Sequence, residues 1–290
     1  MTTSSNELSA QTHGPLAVLR TSTTRDDLFA GLCILACTNG LWGRVIIAVR
    51  EAGWWGGLFS LDISAIVLFA CVGGVWLMLR DKSGEIRAAD LAVTVVLIIF
   101  IILPIPSLGW VALTGLSLYI LLFASGSPSR KRAAVLMLAI TVPMLWVPLL
   151  VQFFERPILE LDASLVAWLT GSHRIGNMVA FQQGSGYVQI APPCSSSTNL
   201  ALAFLCWVGV MQWANRRWSP EDIWWAFLVC SSAVAVNVMR VALVGHSPEY
   251  YELFHNQYWN EISAIANILT MAAAVGFSVL GARRELFSRV

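Results

Sequence analysis

Eight apolar stretches, each near the length that carries a helix across a bilayer, leave this chain one class of fold. They lie at about 28–49, 60–79, 88–104, 108–124, 133–153, 195–213, 223–244 and 260–281. The composition agrees: 57% of residues are hydrophobic and 12% charged, about half the charged share of a soluble domain. The expected fold is an all-α polytopic membrane protein of about eight transmembrane helices. The third stretch is the shortest, and Pro104 and Pro106 force a tight turn after it. Residues 1–27 are polar, without an apolar core, and read as a disordered cytoplasmic tail ahead of a membrane domain at 28–282. Residues 283–290 read as a short basic cytoplasmic tail. A net charge near zero gives no sign of nucleic-acid binding.

Charge placement orients the spans. Arg80, Lys82 and Arg87 follow the second, Arg130, Lys131 and Arg132 the fourth, Arg216 and Arg217 the sixth, and Arg283, Arg284 and Arg289 the last. These are alternate loops. The positive-inside rule puts them, with both termini, in the cytoplasm. The opposite face then receives residues 44–60, the turn at Pro104–Pro106, residues 154–193 and residues 245–259. Within 154–193, the run from Ile158 to Leu169 has helical apolar spacing, suits an interfacial helix, and can end at Gly171. Next, Met178–Phe181 and Tyr187–Ile190 flank Gln182-Gln183-Gly184-Ser185-Gly186, the pattern of a β-hairpin. That turn is a better reading of Gly184-Ser185-Gly186 than a serine nucleophile elbow. Trp54, Trp55, Trp110, Trp168 and Trp259 fall near span ends, as interfacial anchors do.

Chemistry concentrates at the outer mouth of span six, in Ala191-Pro192-Pro193-Cys194-Ser195-Ser196-Ser197-Thr198-Asn199. The prolines forbid a helix upstream, so Cys194 lies at or near a helix N-terminus, where free amides favour a thiolate. Cys33, Cys37, Cys71, Cys206 and Cys230 fall inside apolar stretches and form neither a disulfide nor a zinc pattern. Arg240, near the outer end of span seven, is either a snorkelling side chain or a clamp for a developing oxyanion. Asn237, three residues before it, can hold or supplement it. His255 precedes span eight. It is either a solvated loop histidine or the base that takes the thiol proton, with His246 as the alternative.

In their order and sidedness these features resemble the exosortase/archaeosortase family: Cys194-Ser195-Ser196 at the mouth of span six, Asn237-x-x-Arg240 in span seven, and His255 before the last span. The resemblance covers most of the chain. It implies a membrane-embedded cysteine protease/transpeptidase of the bacterial inner membrane, working on the periplasmic side. Its substrates would be exported proteins with a C-terminal motif, helix and basic cluster (PEP-CTERM-like tails), passed to a surface acceptor. Cys194 would be the nucleophile, Arg240 the transition-state stabiliser and His255 the base. Ser195 and Ser196 stand where many members have Ser or Ala and then Gly, and no glycine follows His255 before Gly276. No metal and no cofactor is implied, and the other partner expected is membrane lipid. The rival readings are a cysteine-dependent membrane acyltransferase and a non-enzymatic transport or assembly factor in exopolysaccharide export.

Overall fold

The computed structural model describes residues 23–59, 63–124, 126–183, 185–215 and 219–249, with isolated helical positions at 269, 273 and 276. Within these, helices dominate: α1 (Arg25–Phe59), α2 (Ala65–Leu79), α3 (Ala88–Ile102), α4 (Pro106–Phe123), α5 (Pro128–Thr141), α6 (Val147–Thr170), α7 (Ser196–Trp213) and α8 (Glu221–Val244). Among the described residues, four helical runs are long and apolar enough to cross a membrane: Arg25–Glu51, Pro106–Phe123, Pro128–Thr170 and Glu221–Val244. Helices α2 and α3 are apolar but have 15 residues each. They reach about 22 Å, short of the ~30 Å hydrocarbon core. Helix α7 begins with four polar residues, Ser196 to Asn199. Residues 260–281, expected as the last span, lie almost wholly outside the described residues.

Several boundaries differ from expectation for physical reasons. Helix α1 starts at Arg25, inside the expected tail, because Thr24 and Asp27 cap it reciprocally. It continues to Phe59 through the segment expected as an outer loop, with a break at Gly53, whose φ of +70° suits glycine. The fifth span and the interfacial helix are one helical run. Pro143 cannot donate to the helix ladder, and Val142–Trp146 adopts a single π turn around it. The second bend falls at Phe154 (φ −124°, ψ 33°), three residues before Pro157. The run ends at Gly171 in the left-handed conformation, as expected. The hairpin also forms. β2 (Met178–Ala180) pairs antiparallel with β3 (Tyr187–Gln189), Val179 opposite Val188, and β1 (Arg174–Ile175) adds a third strand on the far edge of β2.

The main core is built chiefly by α1, α2, α4, α5 and α7, with Leu97 and Ile101 of α3 and Val229 and Ala233 of α8. Its tightest crossing is α1 on α4. A Cβ at Gly109 would lie 2.7 Å from the Ala36 carbonyl oxygen and 2.9 Å from the Gly40 nitrogen, both backbone. Small residues at such a crossing let two membrane helices approach. Trp110, expected as an interfacial anchor, is instead 2% exposed and packs over Gly40. Trp168, at 82% exposed, fits the anchor role. Gly109→Ala is expected to destabilise by about 1–3 kcal/mol through overpacking. Thermal unfolding of the detergent-solubilised protein checks this, and an unchanged midpoint would mean the crossing yields freely.

Large apolar side chains such as Phe69, Val72, Ile102, Leu122 and Phe153 face outward. In water this would be an aggregating surface, and in lipid it is a matched one. The fold is that of an all-α membrane protein with one small sheet.

One end of the bundle is held by buried charge. Arg130 pairs with Asp26, and both are buried. Arg130 also donates to the carbonyls of Ala124 (3.0 Å) and Ser83 (2.7 Å). Asp26 accepts from the Ser83 amide at 2.7 Å. Beside it, Arg25 meets Asp90 at 2.5 Å, and Tyr119 donates to the same carboxylate at 2.7 Å. The lattice ties α1, the α2–α3 loop, α3, α4 and α5 together. Arg130, expected in the loop between spans four and five, lies in the first turn of α5 and acts there as a structural charge. Arg132 likewise donates to the carbonyls of Gln212 and Trp213 at the end of α7.

Candidate functional site

A second, smaller core forms at the opposite end of α8. It gathers Leu159, Ala163 and Val166 of α6, Val179, Val188 and Ile190 of the sheet region, and Val238, Val241 and Val244 of α8. Cys194 packs against it, half-buried.

The two prolines shape the segment as expected. Pro192–Cys194 is a single 3₁₀ turn, closed by bonds from Cys194 N to Ala191 O (2.9 Å) and from Ser195 N to Pro192 O (3.1 Å). Helix α7 starts only at Ser196, so Cys194 sits one residue ahead of the N-cap. Ser195 is that cap: its hydroxyl accepts from the Ser197 amide at 3.2 Å, and it is buried. Its place is structural.

The amides expected to favour a thiolate are partly spoken for. Ser196 N–H donates to the buried Asp162 carboxylate at 3.0 Å, a charge-assisted cap delivered from α6. With Ser195 holding Ser197 N–H, the first two amides of α7 are taken.

Asn237, which the sequence offers as a residue that can hold or supplement Arg240, is 2% exposed. Its side-chain amide turns to the cysteine segment. It donates to the Cys194 carbonyl at 2.9 Å and to Ser196 Oγ at 3.1 Å, and its oxygen accepts from Asn199 at 3.0 Å. The backbone carbonyl can only accept, which sets the amide orientation. Both amide protons are used, so Asn237 is a positioning residue for the cysteine turn. Asn237→Ala leaves the Cys194 carbonyl and the Asn199 amide without this partner, at a cost of about 1–3 kcal/mol for a buried group. The Cys194 peptide is then expected to react several-fold faster with a thiol reagent, followed by mass spectrometry. An unchanged rate would mean the turn is held without Asn237.

Arg240 lies one turn beyond Asn237 on α8 and is half-buried, flanked by Val238 and Val241 of the core under Cys194. The cysteine and the arginine are thus brought to one end of α8. His246 lies just past that helix. Its Nδ1 is 2.6 Å from Gln182 Oε1, and the backbone amides of Gln182 and Gln183 donate to the carbonyls of Gly245 and His246. These bonds dock the hairpin on the end of α8. Val244, the last residue of α8, lies roughly 10 Å along the helix axis beyond Asn237. His255 lies outside the described residues. Among the described residues, no group of three or more His, Cys, Asp or Glu is placed to hold a metal.

Two residues of this arrangement, Asp162 and Asn199, were in view in the sequence but not recognised. Asp162 had a signal: it falls on the stripe of Leu159, Ala163 and Val166, where a carboxylate has to find a partner. Asn199 had only its spacing of three from Ser196.

An apolar groove of about 430 Å³ opens beside the site, lined by Leu165 and Trp168 of α6, Leu200 of α7, and Phe227, Val238 and Met239 of α8, among others. It places hydrocarbon-like surface next to the polar mouth at Cys194.

Fold and site together define an α-helical membrane protein with a cysteine turn fastened between three helices. Compared with family models, curated proteins and solved structures, the chain has no match.

Proposed function

We propose that the chain is a membrane-embedded cysteine protease/transpeptidase acting on exported proteins that carry a C-terminal motif, helix and basic cluster. On this reading it has eight spans, both termini are cytoplasmic, and the cysteine turn faces the periplasm of a bacterial inner membrane. The observation that carries the reading is the fastening of Cys194. Side chains from α6 and α8 converge on its turn while the residue itself stays half-buried at a helix mouth. The five other cysteines lie within helices. An investment of buried hydrogen bonds in one cysteine turn suits a nucleophile whose position matters.

The chemistry follows from tethering. The substrate's own helix lies along the groove beside α8 and brings the preceding peptide to the mouth. The Cys194 thiol gives its proton to a base, assigned to His255, and the sulfur adds to the scissile carbonyl. Arg240 stabilises the resulting oxyanion. The C–N bond breaks, the leaving amine takes the proton, and a thioester remains. An amine or hydroxyl acceptor, or water, then displaces the sulfur and restores the thiol.

The test is a host protein bearing such a tail, followed by size in cells with and without this chain. Shortening only in its presence supports the reading. Equal processing in both overturns it and favours the acyltransferase or export readings.

A further inference from the structure

At the other end of the bundle a second groove opens toward lipid, bounded by α2, α5 and α7. It encloses about 540 Å³, well inside the roughly 300–1,000 Å³ of small-ligand sites. Its walls include Phe69, Gly73, Leu136, Leu205 and Gly209. Two tryptophans close it where the helices meet the interface. Trp76 of α2 and Trp213 of α7 stack with centroids 5.1 Å apart.

Both tryptophans carry a guanidinium neighbour. Arg80 lies over the Trp76 ring at 5.6 Å from its centroid. Arg132 donates to the Trp213 carbonyl at 3.3 Å, and also to that of Gln212. Arg80 and Arg132 thus flank the same tryptophan pair, one at a ring face and the other at a backbone carbonyl. Asp81 offsets them in part, but its carboxylate accepts from Ser127 Oγ, a bond that holds its carboxyl below the usual range and keeps that oxygen committed. At the same place Arg132 Nε and Gln212 Nε2 are buried donors with no acceptor among the described residues. An oily trough therefore ends at an aromatic collar that two cations flank. This is the reverse image of an anionic amphiphile.

We propose that this groove is a binding site for one anionic phospholipid, with an acyl chain between α2 and α7 and its phosphate against Arg80 and Arg132. Basic pockets between membrane helices recognise such headgroups, and a cation near the surface contributes a factor of roughly five in binding. The inference stands apart from the peptidase reading, since the groove and the cysteine turn occupy opposite ends of the bundle.

The full chain, delipidated in zwitterionic detergent, is titrated with phosphatidylglycerol, with phosphatidylcholine of the same chains, and with inorganic phosphate alone. Bound equivalents are read by native mass spectrometry. One equivalent of phosphatidylglycerol is expected to bind at least about five-fold more tightly than phosphatidylcholine, with no retention of phosphate. Arg80→Gln, at an exposed position, should erase the preference. Gly209→Leu, whose side chain would enter the trough, should lower binding of both lipids. Equal binding of both lipids by the wild type would overturn the proposal. So would phosphate binding that Gly209→Leu leaves untouched, the mark of a bare anion site. A dimer that Gly209→Leu splits, without a lipid preference, would assign the groove to a second copy and equally overturn it.

Discussion

Cys194→Ala is expected to lower processing of a tail-bearing substrate by at least about a thousand-fold while leaving the fold in place. The size of the loss follows from the proposed role. A nucleophile that forms the covalent intermediate has no substitute in the alanine variant, and residual turnover then comes from binding and charge stabilisation alone. The survival of the fold follows from the structure. The turn is closed by backbone bonds from Cys194 N and Ser195 N, and Asn237 grips the Cys194 carbonyl rather than its sulfur. An alanine keeps all of these. Substrate shortening, measured beside the thermal midpoint of the purified variant, separates the two effects. Wild-type processing by Cys194→Ala would end the covalent mechanism. A loss of processing with a collapsed midpoint would show that the thiol packs more than it reacts.

Arg130→Met is expected to cost about 3–5 kcal/mol, the largest stability effect of any single change discussed. Removing one partner of a buried ion pair strands the other as an uncompensated charge. Here the stranded group is Asp26, fully buried under the Ser83 amide and hydroxyl. For a chain of this size the thermal midpoint should fall by roughly 10 °C. The double variant Asp26→Leu/Arg130→Met should be less unstable than the sum of its parts, by more than about 1 kcal/mol, because no lone charge remains. Strict additivity of the two changes would mean that the charges do not act as a pair.

These two residues illustrate how much of the molecule a reader of the sequence can reach. Arg130 was visible as a cation in a short loop and Asp26 as part of a polar tail. Nothing local joined them. The same holds at the candidate site. The Pro192-Pro193 pair announced a break before α7, and Cys194 stood out against five cysteines in apolar runs. The caps on that helix were less legible, since Asp162 comes from a bent helix that had been divided into a span and a separate interfacial segment. Asn237 stood out in the sequence only through its helical spacing from Arg240, and its bonds to the cysteine turn were not legible there.

The sequence by itself determined what is local. Apolar run length and proline position set the membrane class and most helix boundaries. Alternation placed β2 and β3, and Gly171 ended α6 because it tolerates a left-handed backbone. Only the tertiary structure decided the partners. The Arg130–Asp26 pair spans 104 residues and the Ser196–Asp162 cap spans 34. A buried charge or amide declares in the sequence that it must be satisfied, since leaving it unpaired is costly. Which distant group satisfies it depends on how the helices cross, and that is settled by close packing at contacts such as Gly109 on Ala36.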